Sequence, residues 1–167
     1  MKTRHLTLCA VLAALALALS YAESWLPLSF VIPLPGIKLG LANIVTVFAL
    51  ATLGTPSALA IFLVRCTLGS IFSGNASAWF FSLLGGLCAL FTMALLCRWQ
   101  KLSVYGVSIG GAAAHNCGQI LAAILTLGNT APLFYLPFLL LVSLLTGTLT
   151  GLVAALLLRS AQQLPQK

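Results

Sequence analysis

The chain has 167 residues, of which 61% are hydrophobic and 5% charged, and its mean hydropathy is +1.14. Soluble domains carry about 25% charged residues, so this chain lacks the polar surface to cover a globule in water and reads as an integral membrane protein. A single acidic residue, Glu23, excludes paired-carboxylate acid–base chemistry and a carboxylate-rich metal centre.

The net charge of +7 comes from eight Lys/Arg residues spread from Lys2 to Lys167, with no basic run that could follow a nucleic-acid backbone. The five cysteines, Cys9, Cys66, Cys88, Cys97 and Cys117, form no CxxC pair and lie in apolar stretches, where Cys packs as a small hydrophobe. Neither a zinc site nor a disulfide framework is expected, and no cofactor.

The chain opens with a basic start and an apolar run that together resemble a secretory signal, with Ser20-Tyr21-Ala22 as a cleavage-like site. The 6–21 run is long for a signal core and the segments after it are equally apolar, which favours a retained first helix. Apolar stretches then predict helices at about 6–22, 39–53, 57–73, 78–97, 103–127 and 132–158. Turn chemistry separates them: Pro27, Pro33, Pro35 and Gly36, then Gly54-Thr55-Pro56, Gly74-Asn75, Arg98 to Lys101, and Gly128-Asn129 before Pro132. Because Gly54-Thr55-Pro56 could be a hairpin tip or a kink, five crossings are the rival to six. The expectation is an all-α membrane protein, one domain over 1–167, built as a compact bundle of six transmembrane helices with an outer, lid-like loop at 23–38.

Alternating sides along this order gathers Lys2, Arg4, Arg98, Lys101, Arg159 and Lys167 together and leaves Lys38 and Glu23 opposite. Basic residues mark the cytoplasmic side, so both termini are expected in the cytoplasm. Trp25, Trp79 and Trp99 fall near the expected interfaces. Small residues recur at helical spacing in three segments: Ala10, Ala14, Ala18 and Ala22; Gly106, Gly110, Ala114, Gly118 and Ala122; and Ser143, Gly147, Gly151 and Ala155. Such stripes permit close helix approach in lipid. Intramolecular packing accounts for the last two, whereas the flat alanine face could equally meet a partner's helix.

Arg65 stands in the middle of the third segment with no acid in a neighbouring helix. An unpaired charge there must snorkel, line a wet cavity or meet an anionic ligand. Lys38 and Asn43 lie at the outer mouth of the second segment, and His115 and Gln119 share one face of the fifth at i,i+4 with Asn116 beside them. A bundle converges these six groups on one outward cavity fit for a small anionic or polar solute, although interfacial anchoring of Lys38 and an interhelical network of His115, Asn116 and Gln119 are the plain alternatives. Asn75 and Asn129 read as loop residues. No carboxylate orients His115, no Ser or Thr has a base beside it, and no GxxxxGK[ST] occurs, so neither catalysis nor ATP hydrolysis is expected of the chain itself.

The run Pro35-Gly36-Ile37-Lys38-Leu39-Gly40-Leu41-Ala42-Asn43, with Arg65 and the Gly111 to Asn116 stretch, resembles the Gx transporter family of small bacterial membrane proteins, also labelled heptaprenyl diphosphate synthase component I. The resemblance covers nearly the whole chain. That family is similar to the substrate-binding S components of energy-coupling factor transporters. The likeness implies an S-component-like bundle that takes up a micronutrient or small anion, with Ala10, Ala14 and Ala18 docking on a transmembrane coupling subunit driven by cytoplasmic ATPases and 23–38 gating the pocket. The synthase label implies the other reading, an accessory membrane subunit of prenyl diphosphate synthesis or isoprenoid lipid handling. The aspartate-rich Mg²⁺–diphosphate sites of a prenyl-chain synthase are missing from this chain.

Overall fold

The computed structural model describes residues 3–25, 38–99 and 102–163. They form six α-helices: α1 (Thr3–Ser24), α2 (Asn43–Leu53), α3 (Thr55–Ser73), α4 (Ala76–Leu96), α5 (Val104–Leu127) and α6 (Leu136–Gln163), with a short 3-10 helix, Ala131–Tyr135, leading into α6. Local chemistry sets several boundaries. Gly54 (φ 83°) breaks the chain after α2, and Pro56 starts α3 where a missing N–H costs nothing. Asn75 and Ser103 cap α4 and α5 by accepting from Ala78 N (3.1 Å) and Gly106 N (3.3 Å).

Four stretches are long and apolar enough to cross a membrane: Thr3–Glu23, Thr55–Ser73, Ala76–Leu96 and Ala131–Ala161. The molecule is thus an all-α, largely membrane-embedded bundle. Helix α5 has the length at 24 residues, but its polar groups face inward. The 39–53 stretch that sequence marks as a crossing contains a helix of only 11 residues, preceded by turn and coil over 38–42.

Helix α5 lies between α4 and α6, α1 rests on α3, and short α2 is enclosed by all five longer helices. One core cluster joins α1, α2, α3 and α4 through Ala16, Val45, Phe62 and Leu90; another joins α2, α4, α5 and α6 through Val47, Met93, Val107 and Ala154. Apolar side chains also cover the outside, as at Leu145 (71% exposed) and Phe91 (62%). Lipid tails solvate such a surface, so close packing and hydrogen bonds must hold the bundle together.

Candidate functional site

On α1, Leu12, Ala13, Ala16, Ser20 and Glu23 are buried, an inner face at three- and four-residue steps. Ser20 and Glu23 are the last polar groups on that face and complete a cluster with Lys38, Arg65, His115 and Gln119. Their spacing with the buried alanines is the signal that finds them. The opposite face carries Ala10, Ala14 and Ala18, all exposed.

The 38–42 segment enters the bundle as non-helical backbone, and two side chains satisfy it. Glu23 accepts from Gly40 N with Oε1 (2.5 Å) and from Leu41 N with Oε2 (3.3 Å). In the amide orientation that pairs donors with acceptors, Gln119 donates to Lys38 O (3.1 Å) and accepts from Lys38 N (2.9 Å) and His115 Nε2 (3.2 Å). Gln119 stands eight residues before the end of α5, about 12 Å along the helix, so Lys38 is held well inside the bundle. Buried irregular backbone is tolerated at such depth only when its polar groups are paired. At Gly40 (φ +85°) a Cβ would lie 2.8 Å from Asn43 Nδ2 and 3.3 Å from His115 Cδ2, so the segment needs glycine there for both conformation and space.

Arg65 is 5% exposed. Its Nη1 donates to Ser20 Oγ at 3.4 Å, its Cζ lies 5.2 Å from the Phe62 ring centroid, and among the described residues its Nη2 has no hydrogen-bond partner. With Lys38, Ser20 and Ser82 it lines a polar cavity of about 20 Å³, room for one water or one ligand oxygen. Beside it runs a groove of about 540 Å³ between α1 and α3, mostly apolar, with Ala14, Leu17, Ala18 and Phe72 on its walls. Among the described residues Asn43 Nδ2 is likewise buried without a partner.

Of the six candidate side chains, the structure brings Lys38, Asn43, His115 and Gln119 together around the inserted segment and sets Arg65 against Lys38 at the cavity. Asn116 turns away: its Nδ2 donates to Leu139 O on α6 at 2.8 Å. Gln119 and His115 hold backbone and each other, which makes them positioning groups for Lys38. The middle of the expected lid, 26–37, with Pro35, Gly36 and Ile37 of the conspicuous run, lies outside the described residues, as do Lys2, Lys101 and Lys167. Two cations and one carboxylate whose oxygens both serve backbone N–H groups leave a site with excess positive charge, suited to an anionic group. Among the described residues no three His, Cys, Asp or Glu side chains gather as metal ligands.

The heptaprenyl diphosphate synthase component I family model matches residues 12–157. No curated protein and no solved structure gives a significant match. The match corrects the transport reading: the family is named for a synthase component, so solute uptake, the energy-coupling-factor S-component likeness and a purely non-enzymatic role are overturned in favour of involvement in prenyl diphosphate synthesis. The physical reason for the misreading is that buried cations and amides announce an anionic group without specifying what that group is attached to. The groove beside them is apolar, which a small hydrophilic solute does not require. With the match running from the third turn of α1 almost to the end of α6, the chain belongs to the heptaprenyl diphosphate synthase component I family.

Proposed function

We propose that the chain is the membrane component of a prenyl diphosphate synthase and holds the diphosphate of an isoprenoid at Arg65 and Lys38. The observation that carries this reading is the buried Arg65, whose Nη2 has no hydrogen-bond partner among the described residues and whose side chain borders a polar cavity together with Lys38. Cations kept from water need compensating anions, and the lone carboxylate nearby, Glu23, whose oxygens accept from Gly40 and Leu41, offsets only one of the two. Cations placed on the diphosphate also favour the charge that builds on it as its bond to the isoprenoid carbon breaks, which is how this chain would contribute to the reaction. One Asp/Glu in the whole sequence does not fit a Mg²⁺–diphosphate site. That chemistry falls to a partner component.

In this reading the chain crosses the membrane six times. Helix α5, about 36 Å long, crosses with its polar face enclosed by the bundle, and α2 with its non-helical lead-in makes the second crossing. The test is binding of inorganic pyrophosphate to the purified protein in phosphatidylcholine nanodiscs. A charged hydrogen bond is worth about 1.5–3 kcal/mol, so Arg65→Gln is expected to weaken binding by roughly tenfold to a hundredfold. Equal binding by wild type and Arg65→Gln, or none by wild type, would overturn the proposal. The same wild-type preparation, extracted from its own membrane, is expected to carry a prenyl diphosphate and a synthase subunit in native mass spectrometry.

A further inference from the structure

The polar cavity and the apolar groove adjoin: Ser20, Lys38, Gly69 and Ser73 border both. The buried Arg65 stands on the polar side. Away from it the walls become Leu17, Ala18, Ala14 and Phe72, and the space lies between two helices whose outer faces are apolar. Its volume of about 540 Å³ falls in the range of ordinary ligand pockets. The space therefore has the polarity of an amphiphile, anionic at one tip and hydrocarbon beyond it.

We propose that the α1–α3 groove binds the tail of a single-chain isoprenoid diphosphate, with a terminal phosphoryl oxygen in the Arg65 cavity and the chain leaving sideways along α1 past Ala18 and Ala14 into the bilayer. The inference rests on the diphosphate-holding reading above and adds the tail site and the direction of entry. Two features choose this occupant over a membrane phospholipid. The cavity beside Arg65 has room for about one oxygen, so it takes a phosphoryl oxygen that projects freely from the end of the ligand. Two cations against one carboxylate leave a net charge of about +1, which favours an anionic group over a zwitterionic headgroup. One groove leads away from the cations, which suits one chain. Small residues on α1, Ala14 and Ala18, leave the groove its width.

The test uses the full chain in phosphatidylcholine nanodiscs and compares inorganic pyrophosphate, geranyl diphosphate and farnesyl diphosphate, each corrected for partition into empty discs, with dipalmitoyl phosphatidic acid as a two-chain competitor. Farnesyl diphosphate is expected to bind at least about tenfold more tightly than pyrophosphate, with geranyl diphosphate between them, because each added isoprene buries further apolar surface. Ala18→Phe and Ala14→Phe place bulk in the groove from lipid-facing positions. Each is expected to bring farnesyl diphosphate to within about threefold of pyrophosphate. Equal affinities for pyrophosphate and farnesyl diphosphate in the wild type would overturn the tail site and leave the diphosphate-holding reading standing. Displacement of farnesyl diphosphate by phosphatidic acid at equal concentration would overturn it in favour of a general lipid site. An advantage of farnesyl diphosphate that survives both phenylalanine substitutions would place the tail elsewhere. Failure of pyrophosphate and both prenyl diphosphates to bind would overturn the two proposals together.

Discussion

Glu23 closes the 38–42 segment onto α1 by taking the Gly40 and Leu41 N–H groups with its two oxygens. Gln119 completes the enclosure from α5 by pairing with both backbone groups of Lys38. Removing either partner leaves buried backbone groups unsatisfied. Glu23→Gln and Gln119→Leu are each expected to cost about 1–3 kcal/mol, read as a lowered thermal midpoint in detergent. A control at lipid-facing Leu145→Ala, 71% exposed, is expected to leave the midpoint in place. Unchanged melting of both polar variants would show that the segment is held by other means. At this scale the sequence exposes Arg65 as an anomaly, since an isolated charge in an apolar helix needs no three-dimensional information to be noticed. The role of Glu23 is hidden because its partners are backbone donors 17 and 18 residues onward, and every residue has those. Asn116 shows the opposite error. It neighbours His115 in sequence, but one residue turns a helix by about 100°, which sends it to α6 while His115 and Gln119 stay together.

At the scale of helices, glycine positions on α5 and α6 decide how closely three helices approach. A Cβ on Gly118 would meet Leu84 O at 2.7 Å and Gly85 Cα at 2.8 Å on α4, and one on Gly147 would meet Ile109 Cα at 2.5 Å on α5. These are backbone atoms of facing helices, which yield only if the helices separate. At Gly111 the obstacle is the Met93 side chain, a flexible chain that can repack. Gly118→Ala and Gly147→Ala are therefore expected to lose about 1–3 kcal/mol, with Gly111→Ala affected less, in chemical unfolding from detergent micelles. Gly111→Ala as the most damaging of the three would contradict this ordering. The small-residue spacing on α5 and α6 is legible in sequence, and the structure assigns it to packing within the chain. Hydropathy also marks the long apolar helices, whereas α5 falls outside the four strongly apolar stretches because it spends its polar residues on the interior. The short α2 is hidden for a related reason: the apolar residues of 39–42 continue its pattern, yet glycine at 40 and the bonds to Glu23 and Gln119 hold that stretch in turn and coil.

For the molecule as a whole, the family and the membrane class are written in the residues, while the choice between capturing a solute and holding a lipid-like substrate depends on a groove that exists only after α1 and α3 come together. Charge distribution gives the remaining whole-molecule property, orientation. Tracing the helices places Arg4, Arg98 and Arg159 at one end of the bundle and Lys38 and Glu23 toward the other. Lys2, Lys101 and Lys167 adjoin the first group in sequence. Short connections rich in Lys and Arg are retained on the cytoplasmic side during insertion, so the termini are expected in the cytoplasm and the cation site toward the outer half of the membrane. A fluorescent protein fused after Lys167 should fluoresce and alkaline phosphatase at the same position should be inactive. Phosphatase fused after Gly128, at the end of α5, should be active because that connection lies opposite. Active phosphatase after Lys167 with inactive phosphatase after Gly128 would invert the topology, and activity of the same kind at both positions would remove α6 as a crossing. The expected pattern would also fix where a partner synthase meets its substrate, since a cytoplasmic partner would have to reach a diphosphate held about 12 Å inside the outer end of α5.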